Sequence, residues 1–315
     1  MKGSTKVVFM GTPDFAVPSL RALIDGDVDI LLAVTQPDRP KGRGRGLVPP
    51  PVKLLAEDNG IEVVQPERVS DPVFIVRIRG LSPDLIVVAA FGQFLPKELL
   101  DIPPMGCVNV HASILPKYRG AAPANWAILR GERVTGVTTI LLNEGMDAGD
   151  ILLARDTAIG EEETAGELTA RLAALGAELL METISGMGGD KITPVPQDHD
   201  KKSLAPLLKK EDGRIDWDSP PGEIKNHVRG MTPWPGAFTT LREEVLKIFR
   251  VDVAEGRVDG RAGKVVDITG NGIVVAAKGG GVVIRELQAP GKRRMEAGEF
   301  LRGKGIETGT IFGGE

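Results

Sequence analysis

Between residues 6 and 111 the sequence alternates five short runs rich in Val and Ile with segments whose apolar residues recur every three to four positions. The runs Lys6 to Met10, Asp29 to Thr35, Ile61 to Gln65, Asp84 to Ala90 and Gly106 to His111 predict strands, and the segments between them predict helices. Leu85-Ile86-Val87-Val88-Ala89-Ala90 is apolar without interruption. A strand with no polar face must be covered on both sides, which means a parallel sheet between two helical layers, joined by right-handed crossovers. The predicted class is therefore α/β: a doubly wound, mostly parallel, Rossmann-like sheet.

The chain is 315 residues long, too long for one growing core, so two domains are expected. Thr135 to Asn143 and Asp150 to Ile159 predict two more strands, and a helix follows from Thr164 to about Ser185 with Glu167 in its first turn. Pro194, Pro196, Pro206, Pro220 and Pro221 then interrupt any regular pattern. The expected division is a catalytic domain at 1–190, a linker at 191–207 and a C-terminal domain at 208–315. After a short helix around Gly222 to Met231, that domain predicts short strands: Ala237 to Leu241, Val245 to Val253, Gly263 to Thr269, Gly272 to Ala277 and Gly281 to Gln288. A small OB-like β-barrel closes such a set.

Composition removes several classes. The hydrophobic fraction of 42% and charged fraction of 26% fit a globular protein rather than a disordered or membrane chain. Cys107 is the single cysteine, so no internal disulfide exists, and no Cys/His cluster has zinc-like spacing. No segment reads as a signal peptide or membrane span, which makes a cytoplasmic protein without metal the expectation. The net charge of −4 means that any polyanion must be gripped by a local patch. Residues 11–15 and the Gly42-Arg43-Gly44-Arg45-Gly46 run both fail the dinucleotide spacing, and no Walker A sequence is present.

The chemistry concentrates in Asn109-Val110-His111-Ala112-Ser113-Ile114-Leu115-Pro116-Lys117-Tyr118-Arg119-Gly120. Alternation along a strand puts Asn109 and His111 on one face at its C-terminal end, where open α/β sheets bind ligands. An amide can donate to a developing oxyanion and an imidazole can take a proton from an attacking amine, which together make an acyl-transfer centre. A hydrogen-bonded structural histidine is the other reading of His111. Asp147, between Gly145 and Gly149, is the carboxylate expected to orient the imidazole, with Asp150 and Glu144 as weaker competitors and a solvated turn as the plainer reading. Cys107 shares that face, but it lies four residues from His111, roughly 13 Å along a strand, so a Cys-His hydrolase is disfavoured. Arg39, Lys41, Arg43 and Arg45 place four cations on a Gly-rich loop, either a solvated segment or a grip for phosphates.

These segments carry a resemblance. Phe9-Met10-Gly11-Thr12-Pro13-Asp14-Phe15-Ala16, Gln36-Pro37-Asp38-Arg39-Pro40, Ala90-Phe91-Gly92-Gln93-Phe94-Leu95-Pro96, the 109–120 segment, Met146-Asp147-Ala148-Gly149-Asp150 and Trp234-Pro235-Gly236-Ala237 together resemble the methionyl-tRNA formyltransferases, a family of folate-dependent formyltransferases. The resemblance implies a catalytic trio at Asn109, His111 and Asp147. It implies a folate site at Ser113, Ile114, Leu115 and Pro116, with Phe91, Gly92, Gln93 and Leu95 as another wall. Arg39, Lys41, Arg43 and Arg45 fall on the loop that it assigns to tRNA, with Arg43 the best single choice. The implied reaction moves the formyl group of 10-formyltetrahydrofolate, the cosubstrate, to the amine of initiator methionyl-tRNA, by a monomer that needs neither metal nor membrane. A formyltransferase acting on a small amine such as an amino-sugar nucleotide is the alternative, and a non-catalytic RNA-binding protein is the reading from another class.

Overall fold

The apolar runs of the first half are strands whose ends lie within two residues of the predicted ones. The structure, a computed structural model, describes residues 4–41, 46–189, 191–270, 272–303 and 305–313. In order the chain forms β1 (Thr5–Gly11), α1 (Val17–Asp25), β2 (Val28–Val34), β3 (Arg39–Lys41), β4 (Gly46–Val48), α2 (Pro51–Asp58), β5 (Val63–Val64) and α3 (Pro72–Leu81). Next come β6 (Leu85–Ala89), α4 (Lys97–Leu100), β7 (Cys107–His111), α5 (Pro123–Leu129), β8 (Val134–Leu141), β9 (Ile151–Ala158) and α6 (Ala165–Gly188). The remainder holds α7 (Pro221–Gly230), β10 (Phe238–Leu241), β11 (Glu244–Val253), β12 (Val265–Thr269), β13 (Gly272–Ala277), β14 (Gly280–Gln288), β15 (Met295–Glu296) and α8 (Ala297–Gly303). Two compact units result, one of residues 1–123, 134–158 and 169–206, the other of 124–133, 159–168 and 207–315.

The first unit is built on a sheet of order β5-β2-β1-β6-β7-β8-β9. Pairing is parallel from β5 through β7 and antiparallel for β8 and β9. Alternation sends Val7, Phe9, Val87, Val108 and Val110 against Leu20 and Leu23 of α1, Leu55 of α2 and Leu180 of α6. Val8, Met10, Ile86, Val88 and Cys107 face Phe74 and Ile78 of α3 and Leu99 of α4. Each such aliphatic side chain stabilises the fold by about 1.5–3 kcal/mol relative to exposure, which is why β6, at the centre of the sheet, carries no polar face. The order reverses between β1 and β6, so a crevice opens beyond their C-terminal ends.

The stretch expected as a linker falls largely inside the first unit. Val195 exchanges two backbone hydrogen bonds with Ile151, both 2.8 Å, and Ala205 N donates to Arg119 O at 2.8 Å. Its prolines deny it regular ladders, but its free N–H groups still pair.

The second unit carries an antiparallel sheet of order β10-β11-β14-β13-β12, with β15 on β14. Its hydrogen-bonded path leaves β10 and β12 at opposite ends. The chain's last described residues join them: Phe312 N donates to Gly263 O at 2.8 Å just ahead of β12, and Gly313 N donates to Thr240 O of β10 at 3.0 Å. The Phe312 ring stacks on Trp217 at 5.9 Å. Two segments expected in the first domain belong here, tied by Asn125 Nδ2 to Gly230 O at 2.8 Å and by Gly166 N to Thr232 O at 3.0 Å.

Candidate active site

β7 delivers Asn109 and His111 to the switch-point crevice, and both are nearly buried, at 8% and 6% exposure. The Asn109 amide makes no hydrogen bond among the described residues, yet its atoms are not sealed from solvent, so its donors are open to a ligand. His111 Nε2 lies 2.9 Å from the Tyr118 carbonyl. A carbonyl only accepts, so Nε2 carries the proton and Nδ1 of the neutral ring presents its lone pair. Nδ1 stands 3.6 Å from Asp147 Oδ2, beyond hydrogen-bond range. The carboxylate is held instead by Gly120 N–H at 2.8 Å. The imidazole is thus oriented by Tyr118 rather than by Asp147, which sits close enough to stabilise charge on the ring.

Local backbone geometry makes this possible. Among the described residues only six non-glycine residues have left-handed backbones, and three are here: Ala90, Tyr118 and Asp147, with φ of 44°, 61° and 44°. Such conformations persist only where surroundings over-determine them. Gly120, at φ 122°, could not be another residue, since a Cβ would stand 2.7 Å from Ala205 O.

Behind Asp147 lies a buried polar network. Gln197 Nε2 donates to the carbonyls of Asp147 and Gly149, at 2.8 and 2.7 Å. Gln197 Oε1 accepts from Arg119 Nε at 3.1 Å and from its Nη2 at 2.6 Å. Arg119 Nη2 also donates to His199 Nδ1 at 3.0 Å. Burial lowers the Arg119 pKa below its usual value, and the Asp147 carboxylate opposes that shift.

The other expected site residues divide. Ser113 is fully buried and its hydroxyl donates to Lys117 O at 2.6 Å, while Leu115 N donates to Thr138 Oγ1 at 3.2 Å. Ile114 and Pro116 are half-buried in the same segment. Phe91 and Leu95 belong to the core beneath the crevice, Gly92 is exposed, and Gln93 Oε1 accepts from Val69 N at 3.0 Å. The exposed apolar face of this wall is Phe94. Arg39 is exposed at the start of β3, which pairs with β4, and beside it Asp38 accepts from Lys53 Nζ at 2.9 Å. That bond draws the Asp38 pKa down. Arg43, Arg45 and the Lys41 side chain lie outside the described residues. Cys107 is buried against α4, and burial pushes its thiol up to about 12. Among the described residues no group of three His, Cys, Asp or Glu could hold a metal ion, and no helix is long and apolar enough to cross a membrane. Nothing in the sequence by itself marks individual roles for Tyr118, Arg119, Gln197 and His199. Tyr118 acts through a backbone oxygen, which no motif marks, and Gln197 is 50 residues from its partner in a stretch without periodicity.

An open amide donor beside a lone-pair nitrogen, at the crevice of a doubly wound sheet, suits transfer of an acyl group to an amine, so the class is an α/β transferase. Residues 5–184 match the formyl transferase family and residues 207–305 match the formyl transferase C-terminal domain. The chain belongs to the formyl transferase family. The methionyl-tRNA formyltransferase of Citrifermentans bemidjiense is 53% identical over 98% of this chain and 96% of its own. That of Pelobacter propionicus is 54% identical over 99% and 97%. Among solved structures, HypX from Aquifex aeolicus in complex with tetrahydrofolic acid aligns with a TM-score of 0.62 at 18% identity, over 98% of this chain and 51% of that one. WlaRD, a sugar 3N-formyl transferase, aligns with a TM-score of 0.66 at 18% identity, over 92% and 99%. These two likenesses concern the fold alone.

Proposed function

We propose that the protein transfers the formyl group of 10-formyltetrahydrofolate to the free amino group of initiator methionyl-tRNA, for translation initiation. The observation that carries the chemistry is the open Asn109 amide on the same strand face as a His111 ring whose Nε2 lies against the Tyr118 carbonyl, which leaves Nδ1 of the neutral ring as the base. The full-length relatives, named for this reaction, support the substrate. These residues suit a folate-borne formyl donor: one amide donor for its oxygen, one base for the incoming amine, and Phe94 as an exposed apolar wall.

The donor brings an activated formyl carbon, and the methionyl amine attacks it. Asn109 donates a hydrogen bond to the oxygen as it gains negative charge. His111 accepts the amine's proton at Nδ1, and the Asp147 carboxylate 3.6 Å away stabilises the resulting imidazolium. His111 then yields that proton to the folate nitrogen, which leaves with the electron pair of its bond to the formyl carbon. Balance is complete without a covalent enzyme intermediate.

Arg39, Lys41, Arg43 and Arg45 are the proposed grip on the acceptor end, with further backbone contacts from the C-terminal unit. The protein is proposed to act as a cytoplasmic monomer. Labelled formyl transfer, offered in parallel to initiator methionyl-tRNA, elongator methionyl-tRNA and an amino-sugar nucleotide, tests the reading. Preference for the initiator supports it, and transfer to the small amine alone overturns the acceptor.

A further inference from the structure

The turn between β8 and β9 holds Asp147 in a left-handed conformation with its carboxylate turned toward His111, a backbone that costs energy and persists where its surroundings fix it. Two devices hold it. One is the Gly120 N–H on its carboxylate. The other is the Gln197 amide, whose two N–H bonds clasp the carbonyls on either side of Ala148. The orientation of that amide is not free. A guanidinium only donates, so the Arg119 fork takes Oε1 and turns the NH2 group onto the two carbonyls.

Arg119 lies between the two backbone groups that matter most. Tyr118 before it gives the carbonyl that fixes the His111 tautomer, and Gly120 after it gives the N–H that holds Asp147. Gln197 therefore ties the base's own segment to the carboxylate's turn. At 5% and 6% exposure, Gln197 and Arg119 do this away from water, where a misplaced polar atom is costly.

We infer that Gln197 is a positioning residue for catalysis, setting the distance between Asp147 and the His111 ring through an orientation imposed by Arg119. The inference rests on the proposed formyl transfer. Its test is Gln197→Glu and Gln197→Met in the full chain. Glutamate keeps an acceptor for Arg119, and so the network's fold, but sets a carboxylate oxygen against two carbonyls. Methionine fills the space and offers neither group.

Both variants are expected to lower kcat by about 10- to 100-fold, with KM for the formyl donor within about twofold of wild type. The pH profile of kcat is expected to move by about half a unit or more, as the carboxylate leaves the ring. The three histidines make the 15N-imidazole spectrum assignable, and the His111 resonances should change in both variants without substrate. If wild type forms no formyl-methionyl-tRNA, the underlying reading fails, whatever the variants do. If wild type is active and Gln197→Glu matches it in kcat and pH profile, the inference is overturned. A lower kcat with an unmoved pH profile and unchanged His111 resonances overturns it too, because a merely structural tie would do the same. If Gln197→Met does not fold, Gln197→Glu decides alone.

Discussion

Tyr118 contributes more through its carbonyl oxygen than its ring, because that oxygen determines which nitrogen of His111 is a base. Given that tautomer, the Asn109 amide is the free donor left to meet a developing oxyanion. Asn109→Ala is expected to lower kcat by about 10²–10³-fold, the usual loss for one such donor, with a small effect on KM. Cys107 offers the contrasting case. Burial raises its thiol to about 12, so it stays protonated at pH 8 and should resist alkylation in the folded protein. Cys107→Ala should keep kcat within about twofold and cost about 1 kcal/mol of stability through a small cavity. Fast alkylation, or loss of turnover in the alanine variant, contradicts this. Asn109 and His111 were visible in the sequence because strand alternation places them together. The Tyr118 carbonyl and the Gln197 clasp were not, since a main-chain acceptor and a contact across 50 residues leave no local pattern.

Elements were legible in proportion to their periodicity. β6 could be read almost to the residue because continuous burial demands continuous apolar sequence, and β7 because its valines alternate with the residues of the other face. The start of α6 is marked by Thr164 and Glu167, whose reciprocal bonds at 3.3 and 2.9 Å form a capping box. The β10–β11 hairpin turns at Arg242 and Glu243, with φ of 51° and 68°, where no glycine or asparagine announces it. The β3–β4 hairpin and α8 are short, and neither spans enough turns to produce a period. The turn after β8 depends on Gly149 for space rather than for φ. A Cβ there would stand 1.8 Å from Leu141 O, a backbone atom with nowhere to go. Gly149→Ala should therefore destabilise by about 1–3 kcal/mol. Since Gly149 also receives a Gln197 bond, turnover should fall with it, and a variant with wild-type Tm and kcat would show that this turn is not under constraint.

Two units rather than one core follow from length, but the chain's path between them could not be read from composition. Residues 124–133 and 159–168 belong with the C-terminal sheet although they precede it, because their bonds to Gly230 and Thr232 are long-range. Within that second unit one histidine couples stability to pH. His227 lies on α7 with Nε2 buried and unpartnered, and burial lowers its pKa below 6.5, against opposing contributions from the Gly213 carbonyl, Asp216 and Asp212. Below about pH 6.5 the unfolded chain binds a proton at this site that the folded one refuses, so stability rises with pH through that window. His227's neutral form is tolerated above 6.5, and stability is lost as the pH falls through 6.5 toward the lower folded value, at a slope of at most about 1.4 kcal/mol per pH unit. Thermal unfolding of the full chain between pH 7.5 and 5 should show this loss, and His227→Leu should flatten it by up to one proton's worth while raising or preserving Tm at pH 5, since the leucine carries nothing to ionise. Parallel Tm–pH curves for the two proteins would mean that the buried imidazole is not the titrating group.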